Sequence, residues 1–438
     1  MLRKKVAIIG AGIAGLTTAY QLSKNNFEVE IFEKSSEVGG LLRSFKFENK
    51  NIEEYYHHIF KTDKDIINLI NELGLGDKLI WEKTSISIYY NNTIYPFSGP
   101  VDLLKFKPLN FFEKIRLGVV ILYLQRVKNW EKFLRITADK WLKKMCGEKV
   151  YNVVWLPLLK GKFHNHYDSV SMSWFWARIH TRANSKSKGS IKEKLGYLNG
   201  GFQILINALK NGIEKNNGKI NLNCSVEKII SENENVKILL SNGNNYNFNK
   251  VICTMPSSVF AKLIKENNIS DDYLKQLKSI KYLGAICAVL VSKKSLSDYY
   301  WHNINDVNSP FLVFIQHTNF INKSNYNNKY IYYIGTYLPY DHKYFNNIDN
   351  NVVYNDFFKY LKNIFSDFNE KDIIEKHLFK SKYAQHIVDC EYKNRIPNYK
   401  TPIPNVYLEN FSQIFPEDRG LNFSIRESIK VSNLLQNI

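Results

Sequence analysis

Cysteine is scarce in this 438-residue chain. The five present (Cys146, Cys224, Cys253, Cys287 and Cys390) are scattered and never form Cys-x-x-Cys. That argues against a disulfide framework or a zinc ribbon and fits reduced thiols in a cytoplasmic protein. No run approaches the ~18 uninterrupted apolar residues of a membrane span. The apolar start, Val6 to Ala14, is broken by glycines and lacks the shape of a secretory leader. A P-loop Gly-Lys-Ser/Thr, a Ser–His–Asp pattern and Cys/His metal spacing are all missing, so a nucleotide triphosphatase, a nucleophilic hydrolase and a zinc enzyme lack support. Acidic residues are in deficit too: 41 Asp and Glu stand against 60 Lys and Arg, a formal charge of +19. Such an excess suits an anionic substrate, an acidic membrane surface or simple solubility. The basic residues are dispersed and no nucleic-acid module is recognisable, so no nucleic-acid partner is expected.

What is present is a folded composition, 44% hydrophobic and 14% aromatic, in a chain long enough for two domains. Its most specific segment is Lys5 to Leu16, an apolar strand running into Gly10-x-Gly12-x-x-Gly15 and then a helix. Gly10 permits the tight turn, Gly12 admits a pyrophosphate against the backbone, and Gly15 lets helix and strand pack closely. The helix N-terminus supplies free N–H groups for the diphosphate. A second apolar strand, Val29 to Phe32, ends at Glu33, a carboxylate placed to accept both ribose hydroxyls of an adenine dinucleotide, with Lys34 beside it.

Beyond the acid, Gly39-Gly40-Leu41-Leu42-Arg43-Ser44 offers a second glycine turn. A flavin nucleotide is longer than a single phosphate-binding turn can serve, and Arg43 adds a fork of donors for phosphate or the polar edge of a flavin. These residues favour FAD over NAD. In this doublet the chain resembles the flavin amine oxidase superfamily, in its protoporphyrinogen-oxidase-like branch of FAD-dependent oxidoreductases. The resemblance continues in Gly200-Gly201 before a helix and in Cys224 to Ile229, where it implies that the Val226 backbone meets the adenine. It extends to the strand Lys250 to Met255 and to the tail from Asn405 through Asn422, where Gly420 and Asn422 would begin a helix aimed at the flavin. One departure stands out. The family places Gly and an acid after its last strand, whereas this chain has Glu409-Asn410-Phe411 and then a polar loop. Either Glu417 or Asp418 replaces the acid, or the loop serves the substrate.

The implied fold is α/β, a Rossmann-type FAD-binding domain with an inserted α+β substrate domain. The FAD-binding domain is expected from residues 1–60, 192–260 and 385–438, and the substrate domain from 61–191 and 261–384. Within the first insertion, Asp65 to Leu73 and Trp130 to Met145 have helical spacing, and Asn91-Asn92 marks a hairpin turn. The second insertion carries strand-like runs at 285–291, 311–315 and 330–334. The basic-flanked apolar run Phe111 to Leu124 suits either burial in a helical cap or shallow contact with a lipid interface.

Candidates for chemistry are His57 and His58, which follow the second glycine turn where the chain would enter the substrate domain. Arg178, Arg182 and Arg419 are candidate clamps for a carboxylate or phosphate, the first two four apart on one helix face. Trp174-Phe175-Trp176 suits either core packing or stacking on a ring. His164 and His166 would share a strand face, but no further ligand accompanies them and no metal is expected. The resemblance implies hydride transfer from a small-molecule substrate to FAD, and the positive charge favours an anionic one, a nucleotide-linked sugar or a lipid-linked intermediate. Two alternatives stay open: a sugar-nucleotide mutase resembling UDP-galactopyranose mutase, and a non-catalytic flavin-binding partner protein. The location implied is cytoplasmic, with peripheral membrane contact open, and no motif specifies an oligomeric state.

Overall fold

A computed structural model describes residues 4–185, 193–232, 234–346 and 348–437. Its first layer is a five-stranded parallel sheet, ordered Val406–Leu408, Lys250–Cys253, Lys5–Ile9, Glu28–Phe32 and Lys219–Asn221. Every neighbouring pair is parallel, with Ala7 opposite Val251 on one side and Glu30 on the other. The central strand is buried from Val6 to Ile9, as a strand covered on both faces requires. Helix α1, Ile13–Ser23, packs against the last helix, Leu421–Gln436, and against the helix Gln203–Lys215.

The second layer is a seven-stranded mixed sheet. Its order is Ile373–His386, Tyr282–Ser292, Tyr330–Pro339, Val313–Gln316, Trp301–Ile304, Ile86–Tyr90 and Thr93–Pro96. The hairpin between the last two turns through Asn91 and Asn92, both at positive φ (47° and 56°), where asparagine is well tolerated. All eleven residues of Tyr282–Ser292 are buried, and their alternation splits two cores. Cys287, Val289 and Val291 join the core that includes the glycine-loop strand, while Ile286, Ala288 and Leu290 pack with the helix Asn350–Ile364.

A helical layer covers one end. Whereas α2 (Lys64–Glu72) packs on the last helix and joins the core of the parallel sheet, this layer contains α3 (Pro100–Lys105) and α4 (Phe111–Arg126), followed by the helices Ala138–Cys146, Leu156–Phe163 and Met172–Asn184. The continuous helix expected over Trp130 to Met145 is instead one short turn at Glu131–Phe133 and a helix from Ala138. Thr137 is extended, bridges Ser171 and caps the new helix by accepting from Lys140 N, so the chain restarts there.

Candidate active site

The two glycine turns are joined into one cradle. Gly39 N donates to Ala11 O at 2.7 Å, and Gly12 lies opposite Gly39. Gly10 (φ 106°) and Gly39 (φ 117°) occupy backbone conformations that other residues rarely adopt. A Cβ on Gly15 would sit 2.0 Å from Gly10 O, so only glycine lets α1 start this close to its strand. A Cβ on Gly12 would meet nothing within 4 Å, which leaves that backbone open to a ligand.

Glu33 ends its strand with one carboxylate oxygen 2.8 Å from Ala11 N and the other 2.9 Å from Ser35 N. Its carbonyl accepts from Cys224 N, which brings the strand beginning at Val226 alongside, and Lys34 is exposed next to it. Arg43 reaches Glu54 at 3.4 Å through Nη2, but its Nε is buried with no partner among the described residues. An orphaned donor beside a glycine cradle fits an acceptor-rich dinucleotide. Gly420 caps the last helix without any side-chain cap, so first-turn N–H groups stay available. The Asn422 side chain is spent elsewhere: its Oδ1 accepts from Asp65 N (2.9 Å) and Ile66 N (3.1 Å) and so caps α2. Its backbone N–H, in the first turn of the last helix, stays available to a cofactor.

The acids after the last parallel strand divide their roles. Glu409 is buried between α1 and the last helix, accepting from Thr18 Oγ1 at 2.5 Å and from Ser428 Oγ. Burial pushes its carboxyl up to about 7 against those two bonds. Asn410 is occupied locally by Ser412 and Met255 O, and Glu417 pairs with Arg426. Asp418 turns away from the cradle. It accepts from Lys162 Nζ at 2.8 Å, Arg178 Nη1 at 2.9 Å and Trp174 Nε1 at 3.2 Å. Burial alone would raise the Asp418 carboxyl, but Lys162 and Arg178 hold it well below the usual carboxylate range.

Around that ion pair the charge is mostly positive. Arg419 donates to the Tyr337 hydroxyl at 2.6 Å, and its own Nε is buried without a partner among the described residues. Tyr56 neighbours Tyr337, and burial holds its phenol well above the ordinary value. Although burial raises the Tyr337 phenol, Arg419 and Lys162 together bring it below its ordinary value. Arg182 has no carboxylate within ion-pair distance among the described residues. It shares a helix face with Arg178 one turn away. His57 feels Arg419, and His58 feels Arg178 and Arg182, so both histidines adjoin this buried cationic cluster, called the cleft below. Burial lowers His57 to about 4 and His58 to about 3, so both are neutral at pH 7. His57 Nδ1 is 2.7 Å from Tyr55 O, which leaves Nε2 for other contacts. Burial raises the Tyr55 phenol, and Arg43 and Arg419 both oppose that rise.

His164 and His166 sit in a short turn instead of on a strand, and no group of three metal-ligating side chains occurs among the described residues. Trp176 is core, donating to Val127 O, while Trp174 is both core and an Asp418 donor. Lys162, Tyr56 and Tyr337 were not singled out by the sequence. Lys162 carries no motif, and Tyr337 becomes adjacent only because its strand crosses the second sheet.

The sequence profile described as "Flavin containing amine oxidoreductase" matches residues 13–409. A coproporphyrinogen III oxidase from Staphylococcus aureus is 25% identical over 66% of this chain and 68% of its own. The mitochondrial protoporphyrinogen oxidase of Nicotiana tabacum is 28% identical over 44% of this chain, but only 40% of its own length. Among solved structures, a putative protoporphyrinogen oxidase from Exiguobacterium superposes with a TM-score of 0.78 at 17% identity, covering 99% of both chains. A reduced UDP-galactopyranose mutase gives 0.77 at 14% identity, over 100% of this chain and 95% of that one. At these identities the structures establish the fold: a Rossmann-type FAD domain combined with a substrate domain. The chain belongs to the flavin containing amine oxidoreductase family and is an FAD-dependent oxidoreductase.

Proposed function

We propose that this enzyme takes a hydride from a C–H bond of a small anionic substrate, oxidising the adjoining C–C or C–N bond as the neighbouring atom loses a proton. The observation that carries the reading is the charge balance of the cleft. Lys162, Arg178, Arg182 and Arg419 converge there, and Asp418 is the one carboxylate bonded to any of them among the described residues. A substrate carboxylate or phosphate would supply the missing negative charge, with Arg419 Nε as an unsatisfied buried donor and Arg182 as a cation without an ion-pair partner among the described residues. A protonated amine would meet repulsion of about 3 kcal/mol per cation at ~5 Å and an effective dielectric near 20. Two relatives are named for porphyrinogens, which carry carboxylate side arms. That chemistry matches the cleft better than a diamine does.

We assign FAD to Gly10, Gly12, Gly15, Glu33, Lys34, Gly39, Gly40, Arg43, the Val226 backbone and the N–H groups after Gly420. When bound it supplies a two-electron acceptor. The protein's part is to hold and exclude. Arg178, Arg182 and Arg419 fix the anion, Trp174 and Tyr56 wall the cleft, and Tyr337 carries a proton at an oxygen polarised by Arg419. His57 and His58 stay neutral, with His57 Nε2 able to accept a substrate proton. The FAD domain is assigned to 1–60, 192–260 and 385–438, and the substrate domain to the two insertions. The location is inferred as cytoplasmic with peripheral membrane contact. No helix among the described residues is long and apolar enough to cross a membrane.

The same guanidinium pair also fits a diphosphate, which keeps the mutase reading alive. Anaerobic titration of the yellow holoprotein separates the cases. Bleaching of the flavin band by a carboxylate-bearing porphyrinogen, and not by putrescine, is the expected result. Conversion of a sugar nucleotide by pre-reduced protein, without acceptor consumption, would favour the mutase. Bleaching by none of these would favour the non-catalytic partner.

A further inference from the structure

Helix α4 has one face too many. Asn110 and Glu113 form a reciprocal cap at its start, and Leu117, Val120 and Leu124 bury themselves in the helical layer. The opposite side is equally apolar yet uncovered. Phe111, Phe112, Ile115, Val119 and Leu122 recur at helical spacing, and Phe112 is 81% and Val119 59% exposed. Leu104, on the neighbouring α3, extends the patch at 58%. A single exposed apolar side chain is ordinary, but a continuous stripe along a 16-residue helix marks a contact surface.

Its rim identifies the occupant. Between residues 100 and 149 there are twelve Lys and Arg against five Asp and Glu. Lys105, Lys107, Arg126 and Lys128 are all exposed at the two ends of the stripe. Of the acids, Glu113 is tied up in the helix cap and Asp102 accepts from Ser98 N. An apolar helix face with a basic border is complementary to an interface of acyl chains beneath anionic headgroups. A second copy of this chain would bring the same positive rims together.

We propose that the α3–α4 face docks onto an anionic lipid bilayer, with Phe111, Phe112, Val119 and Leu122 entering the headgroup boundary while the lysines and arginines meet lipid phosphates. This deepens the peripheral-contact reading given above and is independent of the flavin and cation assignments. The stripe and the cleft are two sides of one layer. The buried face of α4 packs on the helix Met172–Asn184, which carries Arg178 and Arg182.

Vesicle co-sedimentation of the FAD-loaded full chain tests this. Phosphatidylcholine vesicles containing phosphatidylglycerol should bind at least about ten-fold more protein than pure phosphatidylcholine, and the difference should fall with added salt. The double variant Phe112→Asp/Leu122→Asp should lose binding about ten-fold or more while keeping its flavin spectrum, because both side chains are exposed. The variant Lys107→Glu/Arg126→Glu should lose only the anionic preference. Equal binding by wild type and the Asp variant would overturn the proposal, as would no binding to either vesicle. A dimer in sedimentation velocity that the Asp variant dissolves, without vesicle binding, would assign the face to a second copy instead. Loss of membrane binding with substrate bleaching intact would leave the catalytic reading standing.

Discussion

The Asp418 carboxylate lies 2.8 Å from the Lys162 ammonium, and this pair anchors the cationic side of the cleft. Lys162 comes from a helix in the first insertion and Asp418 from the loop before the last helix, so the contact fastens two distant segments. Removing the carboxylate strands Lys162 and Arg178 with no counterion. Asp418→Asn should therefore cost about 3–5 kcal/mol in stability. Chemical denaturation of the variant at pH 7 checks this.

The same group sets a limit at low pH. Its folded pKa is depressed, so its stabilisation is fully present above the unfolded value near 3.8 and is lost as pH falls toward the folded one. Stability measured from pH 5 downward should fall more steeply in the wild type than in Asp418→Asn.

Glu409 has the opposite sign. Its carboxyl is raised from 4.5 to about 7, so the unfolded chain releases that proton first. Its contribution to stability declines as pH rises from about 4.5 to 7 and is level above that, a loss of about 3 kcal/mol. Glu409→Gln keeps an acceptor for Thr18 or Ser428 without the charge. Denaturation curves across that window should be flatter for the variant. Parallel curves would contradict the assignment.

Glu33→Ala removes the carboxylate assigned to the adenine ribose and also the brace on Ala11 N and Ser35 N. Loss of two hydrogen bonds to a charged acceptor, about 3 kcal/mol together, weakens FAD binding on the order of 100-fold. Fluorescence titration of the flavin-free protein reads it directly. A variant purified with stoichiometric yellow cofactor would refute the ribose role.

The cradle was legible because its information is local. Gly10, Gly12, Gly15 and Glu33 lie within 24 residues, and each is required by a backbone turn, a close approach or a strand end. The cleft was only partly legible. Arg178, Arg182, Arg419, His57 and His58 are candidates by chemistry, but Lys162, Tyr337 and Asp418 meet them through long-range packing that no short spacing encodes. Asn422 shows the converse: a plausible cofactor side chain is diverted to cap α2, because Asp63 gives that helix no side-chain cap. In α4 the apolar run is nearly continuous, so periodicity gave no face. Only the packed structure separates buried Leu117, Val120 and Leu124 from exposed Val119 and Leu122.

Arg182 allows the clean test of the anion site, since no bonded carboxylate is left stranded when it is removed. Titrating the FAD-loaded protein with pyrophosphate or a dicarboxylate, and following the flavin absorbance, reports anion binding in the cleft. A saturable spectral shift, weakened about 10- to 100-fold in Arg182→Met and by added salt, is the result expected. A flavin spectrum indifferent to anions, or an identical shift in wild type and variant, would contradict an anion-holding cleft beside the cofactor.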